Sequence, residues 1–127
     1  DVILLGVSRT SKTPTSIYLA NRGYKTVNVP LVLDQKIPDG LTANKKSCIV
    51  GLIAAPERLS DIRRNRVAIM NDRSLKEYTN LDTIKSEVEN SKRLFKKNNW
   101  PIIDVTRRSV EETAASILKI IEIKKNR

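Results

Sequence analysis

The sequence predicts an open parallel α/β sheet with crossover helices in a single domain of residues 1–127, and three observations support this prediction. Short apolar runs that do not alternate with polar residues recur along the chain, as in strands buried on both faces. Stretches with helical spacing of apolar residues separate these runs. A tight turn joins the first run to the first helical stretch, which is the order of a strand–helix–strand unit.

The strands are predicted from continuous apolar residues that are bounded by turn-forming residues. The expected strands are residues 2–5, 26–29, 48–53 and 102–106. Residues 31–46 and 71–80 are rich in polar and turn-forming residues, so we expect two loops there.

The first helix is expected from about residue 13 to residue 22. Its spacing places Ile17, Ala20 and Tyr24 on the buried side. Gly23 is expected to end it, because glycine readily adopts the left-handed conformation that closes a helix.

The other helices are predicted from their first residues or from their spacing. Pro56 opens the second helix, since the first helical turn tolerates a residue without an N–H group. From residue 81, apolar positions recur with helical spacing over about 16 residues. Ser109 and Glu112 have the spacing of a capping box at the start of the last helix. The residues expected to face inward are Leu59, Ile62, Leu81, Ile84, Val88, Ser91, Phe95, Val110, Ala114, Ile117 and Ile121.

Residues 6–13 have the spacing of a phosphate-binding loop, with Ser11 where the common pattern has a second glycine. In such a loop, backbone N–H groups and the positive end of the next helix converge on phosphate oxygens. The predicted nucleotide-binding residues are Gly6, Val7, Ser8, Arg9, Thr10, Ser11, Lys12 and Thr13. Lys12 would neutralise the terminal phosphates as a catalytic residue, and Thr13 would ligate Mg²⁺. With this motif, the predicted fold resembles that of P-loop kinases. The alternative interpretation of residues 6–13 is a turn that caps the helix and binds no ligand.

Arginines and one carboxylate are further candidates for phosphate chemistry. The second helix contains Arg58, Arg63, Arg64 and Arg66. Guanidinium groups suit phosphate oxygens, and the spacing of Arg63 and Arg66 predicts a catalytic pair on one side of the helix. A solvated basic face is the alternative. Asp104 ends the fourth strand and is a candidate Mg²⁺ ligand, with a capping or loop-fixing role as its alternative. Residues 31–46 are either an acceptor-side element or a plain connection.

The composition narrows the possible chemistry. The chain has no histidine, which excludes Ser–His and Cys–His nucleophile pairs, and its one cysteine, Cys48, excludes an internal disulfide and a cysteine-based zinc site. A net charge of +10 indicates an anionic partner or a lysine-covered surface. Without a secretory signal or a run of about 18 apolar residues, we expect a cytoplasmic protein with no membrane contact.

Several stretches resemble the regulatory proteins of pyruvate, phosphate dikinase, which are related to the regulators of phosphoenolpyruvate synthase. The matching stretches are residues 6–14, 17–23, 56–59, 62–66 and 100–109. The sequence Ser-Arg-Thr-Ser-Lys-Thr-Pro resembles the dikinase branch, where Ser11 is the expected residue.

The resemblance implies a bifunctional protein phosphotransferase. Such a protein uses ADP to phosphorylate an active-site threonine of the dikinase, and it uses inorganic phosphate to reverse this step with release of pyrophosphate. Members of the family are about twice as long, so we expect this sequence to be a C-terminal half. Whether such a half catalyses or only binds nucleotide is left open.

Two other functions stay open on the residues alone. A small-molecule kinase of the nucleotide or shikimate type would use the same fold and loop. A basic nucleic-acid-binding domain would use the net charge, although an aromatic content of 4% leaves few platforms for base stacking. The oligomeric state is open as well.

Overall fold

The computed structural model describes residues 1–7, 9–31, 47–70 and 80–125, and at residues 67–70 and 125 it describes the backbone alone. The elements in chain order are β1 (Val2–Gly6), α1 (Lys12–Asn21), β2 (Thr26–Pro30), β3 (Cys48–Ile53), α2 (Pro56–Met70), α3 (Leu81–Lys97), β4 (Ile102–Asp104) and α4 (Val110–Lys125). The two predicted loops lie outside the described residues, except for their ends at Leu31 and Asn80.

The four strands form one sheet in the order β2-β1-β3-β4, and all the pairings are parallel. This arrangement confirms the predicted fold class. Strand β1, which precedes the predicted phosphate-binding loop, lies between β2 and β3, so both of its edges are hydrogen-bonded within the sheet.

Apolar residues cover both faces of the sheet. The larger buried cluster includes Val2, Leu4, Leu19, Val50, Leu52, Ala114 and Ile117. The smaller cluster consists of Leu5, Ile49 and Phe95. Neighbouring residues of one strand, such as Leu4 and Leu5, belong to different clusters, as expected for a strand buried on both faces. A side chain at Gly51 would overlap the Phe95 ring, so α3 packs directly against the backbone of β3.

The predicted buried side of α1 is wrong at two of its three positions. Ile17 is 57% exposed and Ala20 is also exposed, whereas Thr15 and Leu19 are buried. One of the inward positions of this short helix is occupied by Thr15, a polar residue that the spacing of apolar residues does not detect. Tyr24, the third predicted position, follows the helix and packs against the larger cluster.

The predicted end of α1 at Gly23 and the predicted capping box at the start of α4 are both confirmed. Gly23 has a φ of 90°, and the amides of Gly23 and Tyr24 donate to the carbonyls of Ala20 and Leu19, which closes α1 with a Schellman motif. At α4, the Glu112 amide donates to Ser109 Oγ over 3.1 Å, and the Ser109 amide donates to Glu112 Oε1 over 3.3 Å. This reciprocal pair is the expected capping box.

The fourth strand is shorter than predicted and ends at Asp104 instead of residue 106. The Asp104 carboxylate accepts hydrogen bonds from the backbone amide and the hydroxyl of Thr106, which turns the chain out of the sheet. None of the helices in the described ranges is long and apolar enough to cross a membrane.

Candidate phosphate-binding site

The turn between β1 and α1 lies beyond the carboxyl end of a central strand, the position at which open parallel sheets bind their ligands. Arg9 and Ser11 both have left-handed backbone conformations, with φ values of 70° and 63°. Ser8, between Val7 and Arg9, lies outside the described residues. Two non-glycine residues with positive φ in one short turn indicate a constrained backbone, which is common at ligand sites.

Ser11 is the N-cap of α1, but its side chain makes no capping hydrogen bond within the described part of the chain. Its carbonyl accepts the Thr15 amide over 3.1 Å and so starts the helical ladder. The N–H groups of a first helical turn have no carbonyl one turn before them. These donors and the positive end of α1 are therefore directed at the turn, where an anion would satisfy them.

Gly6 does not have a positive φ, so backbone conformation does not explain the glycine. What matters at this position is the space that a side chain would occupy. A Cβ at this position would lie 2.5 Å from Thr10 Oγ1 and 2.9 Å from the Leu52 carbonyl oxygen. The Thr10 side chain is completely buried there, and its hydroxyl donates to the Val7 carbonyl over 2.8 Å. The absence of a side chain at Gly6 thus lets Thr10 close the turn from inside.

The side chain of Lys12 lies against the turn in which it is predicted to bind phosphate. Its Nζ donates to the Val7 carbonyl over 2.7 Å and to Thr10 Oγ1 over 3.3 Å. Burial and, to a smaller extent, the positive charges of Arg63 and Arg9 together lower the pKa of Lys12 to about 8. Lys12, Arg63 and Arg9 therefore form a cationic group whose mutual repulsion a bound phosphate would relieve.

Arg63 of α2 is 1% exposed, and its Nη1 lies 2.8 Å from Glu87 Oε2 of α3. A buried guanidinium needs such a partner, because the cost of desolvating the charge is otherwise uncompensated. Arg63 also lies near enough to Lys12 to affect its pKa. One of the two predicted catalytic arginines is therefore near enough to act on the charge of Lys12, and its catalytic role stays a prediction.

Glu87 is the residue of this site that the sequence reasoning missed. Both members of the pair lie on the inward stripes of their helices, since Arg63 follows buried Leu59 by four residues and Glu87 follows buried Ile84 by three. A charged residue on the apolar stripe of each of two helices is a signal that predicts a buried ion pair.

Arg66 has a different environment from Arg63. Three helical residues rotate a side chain by about 60° around the axis, and Arg66 is exposed, as are Arg58 and Arg64. These three arginines fit the alternative of a solvated basic face. The catalytic role of Arg66 stays a prediction.

Thr13 and Asp104, the predicted Mg²⁺ ligands, belong to different elements. Thr13 is exposed in the first turn of α1. Asp104 Oδ1 accepts the Thr106 amide over 2.9 Å, and Thr106 Oγ1 accepts the Ala55 amide over 2.8 Å, which supports the loop-fixing role for Asp104. The described ranges contain no group of three or more cysteine, aspartate or glutamate side chains that could hold a metal ion. The Mg²⁺ site stays a prediction.

A comparison with known families gives a match over residues 1–118 to the family described as kinase/pyrophosphorylase. The chain belongs to the kinase/pyrophosphorylase family. The cationic turn beside the N-terminus of α1 has the donors and the positive charge that bind anions in general.

Relatives in the kinase/pyrophosphorylase family match nearly all of this chain. A protein of Pelagibacter ubique is 61% identical over 127 residues, which is 99% of this chain and 46% of the relative. A protein of Erythrobacter litoralis is 54% identical over 120 residues, covering 94% of this chain and 43% of the relative. A protein of Bartonella henselae is 55% identical over 121 residues, covering 95% of this chain and 44% of the relative. All three carry the name pyruvate, phosphate dikinase regulatory protein.

The chain spans less than half the length of these curated relatives. The names of these relatives nevertheless agree with the resemblance found in the sequence. The matched region includes Arg63, Glu87 and residues 6–13, which are called the phosphate-loop turn after their predicted role.

Proposed function

We propose that this chain is the nucleotide-binding part of a phosphotransferase that regulates pyruvate, phosphate dikinase. In this proposal ADP is the phosphoryl donor, and a threonine of the dikinase is the acceptor. The observation that carries the proposal is the placement of Lys12, with its lowered pKa, inside the turn between β1 and α1. The names of the relatives support the choice of the dikinase as the protein substrate.

In the forward step, the threonine oxygen would form a bond to the β-phosphorus of ADP, and the bond from that phosphorus to the bridging oxygen would break. AMP leaves, and the hydroxyl proton passes to solvent. In the opposed step, an oxygen of inorganic phosphate attacks the phosphothreonine phosphorus, which regenerates threonine and releases pyrophosphate. Both steps transfer a negatively charged phosphoryl group, so catalysis depends on positioning and charge neutralisation.

The residues of this chain would supply that neutralisation. Backbone donors of the turn and the N-terminus of α1 would hold the phosphates, and Lys12 would release the Val7 carbonyl to bind a phosphate oxygen. Arg63, held by Glu87, would add a fixed positive charge beside it. Mg²⁺, if bound at Thr13, would supply further charge neutralisation; Asp104 and Arg66 remain candidates for Mg²⁺ ligation and catalysis.

The first test is calorimetric titration of this chain with ADP, with and without Mg²⁺, alongside the variants Lys12→Ala and Lys25→Ala. A charge-assisted hydrogen bond contributes about 1.5–3 kcal/mol, so Lys12→Ala should weaken ADP binding by at least about tenfold. Lys25 is exposed after the end of α1 and serves as the matched control, which should bind as the unmodified chain does. Equal ADP affinity in the Lys12→Ala variant would contradict the proposal.

The second test is transfer of label from β-³²P-ADP. Label on the dikinase threonine, and its phosphate-dependent return as pyrophosphate, would support the proposed reactions. Transfer to a metabolite from a panel of small acceptors would instead favour the small-molecule kinase alternative. Binding to generic DNA or RNA that falls steeply with salt would favour the nucleic-acid alternative.

A further inference from the structure

A second concave site lies at the same edge of the sheet as the phosphate-loop turn. It is an open cleft of about 520 Å³, a size common for small-molecule sites. Its lining residues are Ala55, Asp104, Thr106, Arg107, Arg108 and Glu112. They come from the segments that follow β3 and β4 and from the first turn of α4.

The strand register gives the position of this cleft relative to the turn. Leu5 of β1 is paired with Gly51 of β3, and Ile53, two residues later, is paired with Asp104 of β4. Asp104 is therefore level with Val7, the first residue after β1. Because β3 separates β1 from β4, the carboxyl ends of β1 and β4 are about 10 Å apart, or two strand spacings. That separation is comparable with the length of an extended nucleoside diphosphate.

The charges of the two sites differ. The turn gathers positive charge from Lys12, Arg9 and Arg63. The cleft is lined by two arginines and two carboxylates, so the formal charges of these side chains cancel. A second phosphate would meet both carboxylates there, whereas a neutral polar group would find donors and acceptors.

The cleft carries the chemistry that a nucleoside needs. Guanidinium groups stack on flat aromatic rings, and Arg107 and Arg108 are both exposed along the cleft. The Asp104 carboxylate has acceptor capacity beyond its bonds to Thr106, and ribose hydroxyls and exocyclic amines are donors.

The wall of the cleft is held in place before any ligand binds. Thr106 Oγ1 accepts the Ala55 amide over 2.8 Å, which joins the segments after β3 and β4. Arg108 Nη1 donates to Ser116 Oγ over 2.8 Å, which ties that side chain to α4. The capping box fixes the first turn of α4. Such preorganisation lowers the entropy cost of binding.

We propose that this cleft binds the base and ribose of the nucleotide whose phosphates bind at residues 6–13. The inference rests on the proposed function, because it assigns the neutral end of the same ligand. Arg107 and Arg108 stack on the base, and Asp104 accepts a hydrogen bond from the ribose or the base.

The test compares two ligands that share phosphates but differ in the nucleoside. ADP and pyrophosphate are titrated into the unmodified chain, into Arg107→Ala, Arg108→Ala and Asp104→Asn, and into the control Arg93→Ala, an exposed arginine of α3. We expect the three cleft variants to weaken ADP binding by about tenfold, equivalent to about 1.4 kcal/mol. Pyrophosphate affinity should stay within about twofold, since each lost contact is with the nucleoside. The control should change neither affinity.

Several results would overturn the inference. If the unmodified chain binds ADP no more tightly than pyrophosphate, the nucleoside adds no affinity and the cleft assignment is wrong. The proposed phosphate site is not contradicted by that result. If the variants weaken both ligands equally, the arginines act on phosphate. If Asp104→Asn weakens ADP binding only in the presence of Mg²⁺, that carboxylate serves the metal. If the unmodified chain binds neither ligand, the proposed function fails and this inference falls with it.

A photo-crosslinking experiment on the unmodified chain gives an answer that does not depend on the folding of variants. Irradiation with 8-azido-ADP, followed by peptide mass spectrometry, should label residues between 104 and 112. Excess pyrophosphate should prevent the labelling, because both ligands need the phosphate-loop turn. Labelling confined to another part of the chain would refute the assignment.

Discussion

ADP binding should be accompanied by proton uptake at Lys12. In the unliganded chain, burial and the charges of Arg63 and Arg9 hold the pKa of Lys12 at about 8. A phosphate beside Nζ favours the charged form and would raise that pKa towards the ordinary lysine value. The bound state would therefore be protonated at a pH where part of the unliganded population is neutral.

The size of the uptake follows from these pKa values. Near pH 8 half of the unliganded Lys12 population is neutral, so complete protonation in the complex takes up about 0.5 proton per ADP. The uptake should rise to about 0.9 proton near pH 9 and fall to about 0.1 proton near pH 7. The second pKa of a terminal phosphate is about 6, so the ADP phosphates are almost fully ionised at about pH 8 and above, and there the protein supplies most of the change.

The assay is calorimetry at each pH in two buffers that differ in their enthalpy of ionisation. The dependence of the observed enthalpy on the buffer gives the number of protons bound. Lys12→Met should abolish the pH-dependent part of the uptake, and Lys25→Met should retain it. An uptake near zero at about pH 8 in the unmodified chain would refute the placement of Lys12 against the phosphates.

Three further predictions concern the architecture of the site, and urea unfolding measures each of them. Ser11→Gly should stabilise the chain by about 1 kcal/mol, because glycine adopts the left-handed φ of 63° without the Cβ penalty; a loss of stability would contradict the strained backbone. Glu87→Ala should destabilise by about 3–5 kcal/mol, since it leaves the buried Arg63 charge without this carboxylate, whereas Glu89→Ala, on the exposed side of α3, should cost less than about 1 kcal/mol. Gly6→Ala should cost at least about 1–3 kcal/mol by displacing Thr10 or the Leu52 backbone, and an unchanged midpoint would mean that the turn has room for a methyl group.

The strands and most helices could be predicted because their signals are local. β3 was predicted at its observed bounds from one apolar run, and the capping box of α4 followed from the spacing of Ser109 and Glu112. The buried face of α1 could not be predicted in this way, since Thr15 occupies an inward position. The end of β4 depended on a side-chain bond from Thr106 to Asp104, which a run of apolar residues does not report.

The candidate site shows the same division between local and distant signals. The turn between β1 and α1 was predicted to be a phosphate-binding loop from the spacing of Gly6, Lys12 and Thr13, and that role stays a prediction. That Arg63 and not Arg66 is buried beside Lys12 depends on the packing of α2 against α3, with Glu87 contributed by the second of these helices. The contact that selects one arginine from four joins residues 24 positions apart.

The ion pair between Arg63 and Glu87 makes the phosphate loop sensitive to a helix that supplies no residue to it. The positive charge near Lys12 is held in part by Glu87 of α3, so its position depends on the packing of α3 against α2. Coupling of this kind is reciprocal, so an anion that relieves the repulsion between Lys12 and Arg63 also strengthens the docking of α3. Binding of an anion at the loop would then slow amide hydrogen exchange around Glu87. Weaker packing of α3 would in turn lower the affinity for the nucleotide.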